Sequence, residues 1–440
     1  MMTDAKISPI EFDALVLGAG VGGLCAAARL GHQGYRTLLV EASGRFGGRA
    51  GSELIDGFRI NTGAIAIEPG GVLEETFDLV GAPFEVRQPN PAASFRLSGK
   101  RVDVSRGGWG FLLNGLTKKA AGIMATMAEA KQGKLPDEDL STQAWLAGFT
   151  KNETVHAVFR NLCAAIFAVN ADELPARAFL TYFTQKGAFR RFGFCPQGSG
   201  ELFAELAAAF ARRGKIWLTS PVEGIVVEGG RVRGARVRHE GQSVTISARH
   251  VVSNLGPRAT VALAGEAEFP PDYLESMRRL IRPTANIAIH IASPEPLFED
   301  PGIVTFGKTQ RLCNMANLSA SCPELAPEGW HLYVAFAVPV PAMGDFDAEH
   351  ESELALADLR CEFENFDRAR VLAVRVMRGE WPAQRTCAGF DMPQATPVAG
   401  LWNVGDGVKE YGEGGTQACA ETARRVVDAI VAEDEAHHGD

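Results

Sequence analysis

Apolar residues recur along this chain in two rhythms. Asp13-Ala14-Leu15-Val16-Leu17 and Thr37-Leu38-Leu39-Val40 are short, nearly unbroken apolar runs, the pattern of strands covered on both faces in a parallel sheet. Between them an Ala/Leu-rich stretch from Leu24 to about Leu30 has helical spacing. Ile216-Trp217-Leu218, Ser220 to Ile225, Ala248 to Asn254 and Gly400 to Val404 repeat the strand pattern, and Glu201 to Arg213 and Thr416 to Ala432 the helical one. The intervening segments read differently. Residues 73–195 are helical in character, with Phe111 to Glu129, Asp139 to Leu146, Glu153 to Phe167 and Ala176 to Phe183. Residues 263–395 are mixed: Ala285 to Ile291, His331 to Phe336 and Val371 to Met377 read as strands, and Glu349 to Phe366 as a long helix. The pattern predicts an α/β protein. A Rossmann-like domain (parallel sheet flanked by helices) is assembled from residues 1–72, 196–262 and 396–440, interleaved with an α+β domain from 73–195 and 263–395.

The first strand runs directly into Gly18-Ala19-Gly20-Val21-Gly22-Gly23, and the second ends at Glu41. A strand, a glycine loop, a helix and an acid at this spacing form a dinucleotide fingerprint. Gly18 serves the tight turn, Gly20 the close approach of backbone to a pyrophosphate, and Gly23 the packing of helix on strand. The helix start offers unpaired N–H groups and a positive dipole end. Glu41 can accept from ribose hydroxyls and would repel a 2′-phosphate. Gly47-Gly48-Arg49 follows Glu41-Ala42-Ser43 as a second glycine turn with a forked cation, suited to phosphate. Near the other end Gly405-Asp406 closes the Gly400–Val404 run, and Gly412, Gly414 and Gly415 precede the last helix.

In these motifs the chain resembles the FAD-dependent family of amine oxidases, protoporphyrinogen oxidases and phytoene desaturases, across essentially its whole length. The resemblance implies FAD, held by Gly18, Gly20, Gly22, Gly23, Glu41, Ala42, Gly47, Gly48 and Arg49. It sets Gly63-Ala64-Ile65 along the flavin ring, Val222 at the adenine and Asn254 on a strand returning to the cofactor. Asp406 would serve the ribityl–phosphate region, and Gly415, Thr416 and Gln417 the pyrimidine edge, where a helix N-terminus stabilises negative charge. Gly229-Gly230 lacks a strand–glycine–helix setting, so a resident nicotinamide is not expected.

A net charge of −9 gives no basic stripe for nucleic acid. No apolar run reaches the roughly 18 residues of a membrane span, and Met1 to Asp13 does not read as a signal peptide. The eight cysteines are scattered and the nine histidines do not cluster, which supports no metal site and fits a cytoplasmic protein. Trp109 to Leu113 followed by Lys118-Lys119 reads either as a peripheral membrane anchor or as an ordinary cap helix.

Three functional readings stay open. The first is hydride abstraction from, or double-bond isomerisation in, a largely apolar substrate such as a terpenoid, carotenoid, steroid or cyclic compound, with oxygen or a quinone as acceptor. The segment Asn314 to Leu332, with Ala326-Pro327-Glu328-Gly329, resembles the desaturase branch. Twenty-five Phe against five Tyr, with Phe179 to Phe183, Phe189, Phe192 and Phe194 together, would either line an apolar tunnel or form the core of a helical cap. The second is amine oxidation, against which stand glycine at position 415 and no counterpart of a flavin-facing lysine, Lys308 lying in a polar turn. The third is a flavin carrier or interaction subunit without turnover. For proton transfer the candidates are Glu410 and Tyr411, which either border the active site or form a solvated turn.

Overall fold

The computed structural model describes residues 12–97, 99–102, 123, 125–126, 128–130, 132–184, 192–411 and 413–438. The Trp109–Leu113 anchor candidate, Lys118-Lys119, Phe189, Gly412 and most of the Phe111–Glu129 helix lie outside them.

The expected parallel sheet is built from strands Lys215–Trp217, Thr37–Val40, Phe12–Leu17, the end of Gln242–Ser253, and Leu401–Asn403. Thr37–Val40 is buried at every position, and Phe12–Leu17 nearly so, as a sheet covered on both faces demands. The strand Gln242–Ser253 changes partners along its length. Its first half joins Arg231–His239 and Val222–Glu228 in an antiparallel ribbon, and its second half enters the parallel sheet beside Phe12–Leu17.

Helices Val21–His32, Ser199–Ala211 and Gly415–His438 cover one face, their apolar sides meeting over Leu24, Phe203 and Val426. Helix Val72–Val80 packs into the same layer through Leu73 and Phe77, so this layer extends past residue 72.

The second sheet has seven strands in the order Arg370–Met377, Asn286–Ser293, His331–Ala337, Leu312–Asn317, Ile303–Phe306, Ala93–Leu97 and Lys100–Val102. The last two come from the segment read as helical, and the parallel pairing of Ala93–Leu97 with Ile303–Phe306 corrects that reading. The predicted long helix Glu349 to Phe366 stops at Glu362, and Phe366–Arg368 forms a separate short turn. Over the sheet lie helices Thr142–Ala147, Glu153–Phe167 and Ala176–Thr184. Asn152 starts the middle one, its Oδ1 accepting from the amides of Thr154 at 2.9 Å and Val155 at 3.3 Å. Trp145, Phe159, Phe167 and Phe179 pack together as the core of this cap.

Candidate active site

The two glycine motifs meet where the parallel sheet ends. Gly18 holds φ +92°, in the left-handed region, and turns the chain into helix Val21–His32. A Cβ on Gly23 would collide with the Gly18 carbonyl, and one on Gly22 would come within 2.8 Å of Asn254 Oδ1 and 3.1 Å of the Gly405 amide. The first helix therefore abuts both the returning strand and the Gly-Asp loop. Gly47 donates its N–H to the Ala19 carbonyl at 2.9 Å, seating the second glycine turn on the first. Glu41 is oriented by three donors: the Ala19 amide at 2.7 Å on Oε2, and the Ser43 amide and hydroxyl, each at 2.8 Å, on Oε1.

A cavity of about 670 Å³ runs from this loop to the second sheet, a size suited to a small-molecule site. Gly18, Gly20, Gly22, Glu41 and Ala42 line it, with Gly47, Gly48 and Arg49. Gly63, Ala64 and Ile65 also line it, as do Asn254, Asp406, Gly415 and Thr416. Four predicted residues are not part of this lining. Gly23 and Gly405 serve the packing around Asn254. Val222 lies on its strand. Gln417 accepts from the Leu73 amide at 3.1 Å and donates to the Glu68 carbonyl at 2.5 Å, tying the last helix to the start of helix Val72–Val80 and the segment before it.

Arg49 does not stand as an isolated cation. Its Nη1 and Nη2 donate to Asp406 Oδ2 at 2.9 Å and Oδ1 at 2.5 Å, and Nη1 also reaches the Pro382 and Ala383 carbonyls. Burial opposes both charges. Asp406 nevertheless raises the Arg49 pKa, and Arg49, followed by Arg385, holds the Asp406 carboxyl well below its ordinary range.

For Glu410 and Tyr411 the sequence left two readings, a solvated turn or a place at the cavity. Neither lines it. Glu410 pairs with Arg425 at 2.9 Å and accepts from Gln394 at 3.3 Å. Tyr411 is 36% exposed, its ring lying 5.1 Å from the Arg177 guanidinium. It is their neighbour Lys409 that lines the cavity, with its amine committed to Asp391 at 2.6 Å and to the Asp406 and Thr386 carbonyls at 3.0 and 3.2 Å. Burial pushes Asp391 up to about 6.

Several wall residues carry no sequence signature. Glu68 makes no hydrogen bond or ion pair through its carboxyl among the described residues, and burial pushes it up to about 7. The side-chain amides of Asn286 and Asn314, 5% and 2% exposed, are likewise without hydrogen bonds, and their oxygens are fully buried. Gln384 has the same orphaned oxygen, and Arg385 lines the cavity beside it. A polar residue inside an apolar strand, as at Asn314 in Leu312–Asn317, is the one local hint the sequence offers.

The family of flavin-containing amine oxidoreductases matches residues 21–431. The chain belongs to this family. Across 425 residues it is 23% identical to the uncharacterized protein MJ1488 of Methanocaldococcus jannaschii, covering 94% of this chain and 98% of that one. A solved oxidoreductase from Methanosarcina mazei superposes with a TM-score of 0.83 at 26% identity, over 94% of this chain and 99% of the other. Identity to the zeta-carotene-forming phytoene desaturase of Myxococcus xanthus is 45% but spans only 71 residues, 16% of this chain and 14% of that one. The protein is an FAD-dependent oxidoreductase, and its residues fit the cofactor. Glycines stand where side chains would block the loop, an oriented carboxylate follows the second strand, and the start of the last helix lines the same cavity. No helix among the described residues is long and apolar enough to cross a membrane.

Proposed function

We propose that the protein takes hydride from, or moves a double bond within, a largely apolar substrate bound at the inner end of the cavity. The supporting observation is the wall. Ile166 and Phe167 at the end of one cap helix, Tyr182 and Phe192, Phe336 on the sheet and Val338 just past that strand form a predominantly apolar lining. Bound FAD supplies the hydride acceptor. The chain's own groups exclude water, orient the substrate and handle protons. Glu68 is the carboxyl in this wall whose proton affinity is set by burial, which suits it to exchange a proton near neutrality.

A second reading, amine oxidation, draws on the same Glu68 and on the orphaned amides of Asn286 and Asn314, which suit a substrate bearing N–H donors. Against it, Lys409 is committed to Asp391 and offers no free amine. The test is anaerobic bleaching of the FAD-loaded protein by matched panels of alkenes, cyclic ketones and amines. Bleaching by the apolar panel alone supports the proposal, and bleaching by amines alone replaces it with the second reading. Double-bond migration in the apolar panel without lasting bleaching supports the isomerase form of the proposal, and neither bleaching nor altered substrate in any panel favours a carrier without turnover.

A further inference from the structure

Given the apolar substrate proposed above, we infer that the Asn314 side chain binds an uncharged oxygen of that substrate, a carbonyl or a hydroxyl, so that the compound is oxygenated and not a hydrocarbon. Asn314 lies on the central strand of the second sheet, paired with Thr305 on one side and Phe336 on the other. Side chains alternate between the two faces of a sheet. On one face Ile289, Ala335, Met315 and Val304 join the apolar core that includes Leu359 of helix Ala348–Glu362. On the other, Phe336, Asn314 and Ile303 line the cavity. Helix Glu153–Phe167 packs on strands Leu312–Asn317 and Ile303–Phe306, and its last residues, Ile166 and Phe167, belong to the same wall.

A buried amide within a strand ordinarily finds a partner. The Asn314 amide has none among the described residues, and the Thr305 hydroxyl across from it is likewise unpartnered. Leaving such groups unpaired is costly, and a ligand that bonds them offsets that cost. Asn286 is a similar orphan with different neighbours. It pairs with Met377, whose Cε would lie 3.0 Å from a Cβ on Gly63, where the segment expected along the flavin ring begins. Asn286 therefore stands toward the cofactor, and Asn314 among the apolar lining. The neighbouring groups on this face are uncharged. His290, two residues along from Ala288, is buried with both ring nitrogens unpartnered, and burial lowers its pKa to about 4. Arg375, opposite Ala288 on the edge strand, is paired with Glu53. Among the described residues, none of the charged groups lining the cavity belongs to a strand of this sheet. An ammonium or carboxylate brought to Asn314 would lose its hydration without a counter-charge, a far larger cost than a neutral oxygen meets. The amide carries both a donor and an acceptor: its N–H suits a carbonyl, and either end suits a hydroxyl.

The test is binding, without turnover, of four molecules of one shape to the FAD-loaded, full-length protein: dicyclohexyl ketone, dicyclohexylmethanol, dicyclohexylmethane and dicyclohexylamine, an ammonium at neutral pH. Affinities are read from the perturbed flavin absorbance. Asn314→Leu should weaken the ketone and the alcohol about tenfold and leave the hydrocarbon and the amine within about twofold. Unchanged affinity for the ketone and alcohol overturns the inference, as does an equal loss for all four. So does a wild type that binds neither oxygenated probe; the apolar reading then stands if the hydrocarbon binds, and falls too if only the amine does. Two further measurements guard against a distorted variant. Because it removes unpartnered polar atoms, Asn314→Leu should melt at the wild-type temperature or roughly 1–3 °C above it; a fall means the amide is already bonded within the protein and overturns the inference. In wild type, isotope-edited infrared spectra should place the carbonyl stretch of bound ketone below its frequency in an alkane, and an alkane-like frequency overturns it.

Discussion

Removing the Glu68 carboxyl should make the flavin-free protein more stable, and only on the alkaline side. Burial raises the Glu68 pKa from an ordinary 4.5 to about 7, with no cation or donor to offset the desolvation. An acid that titrates higher in the folded state binds its proton more tightly there than in the unfolded chain. Its favourable contribution is therefore complete below the unfolded value and disappears as pH rises through the folded one. The displacement from 4.5 to about 7 corresponds to about 3 kcal/mol. Unfolding entropy of about 2.1 cal/mol/K per residue over 440 residues converts this to roughly 3 °C in melting temperature. Glu68→Gln keeps the shape and removes the titration. Melting curves by circular dichroism, at about one unit above and two below the folded pKa, should show the variant gaining roughly 3 °C on wild type between acid and alkaline conditions. A difference independent of pH would refute the reasoning, because it would mean that the carboxyl is solvated or paired.

Further outcomes follow from the same geometry. Asp406→Asn leaves the half-buried Arg49 without its counter-ion and should lower stability by about 1–3 kcal/mol in urea unfolding; no change would mean the pair is screened by solvent in practice. Gly22→Ala places a methyl against Asn254 and the Gly405 amide and should cost about 1–3 kcal/mol, with weaker FAD retention on gel filtration; unaltered retention would deny the close approach. Glu410→Gln and Tyr411→Phe should each hold FAD and turn over as wild type does, since the Glu410–Arg425 pair is a surface contact worth about 0–1 kcal/mol. Loss of turnover with FAD still bound would return them to the active site.

What the sequence disclosed and what it hid divide along physical lines. Thr37–Val40 and Glu153–Phe167 appear at the predicted residues because burial on both faces in one, and an Asn152 cap in the other, are written locally. Ala93–Leu97 was not legible as a strand, since its pairing depends on Ile303–Phe306, some 200 residues away. The glycine loops were legible because left-handed backbone and close approach demand glycine itself. Arg385, Glu68, Asn286 and Asn314 were not: each is an ordinary polar residue in its own segment, and only the interleaving of the two domains brings them to one cavity. The choice between the two readings of Glu410 and Tyr411 stayed open for the same reason, because their partners Arg425 and Arg177 come from other elements.

The central claim is that these converging loops hold FAD in a redox-competent site. Its most direct test is an FAD titration of the flavin-stripped protein, followed by anaerobic photoreduction and timed readmission of air. The account predicts saturation at one FAD per chain, a visible spectrum distinct from that of free FAD, and full reversible bleaching. Reoxidation within seconds would identify an oxidase, and reoxidation over minutes a dehydrogenase or isomerase. A protein that retains its fold yet neither perturbs the FAD spectrum nor retains flavin on gel filtration would contradict the account.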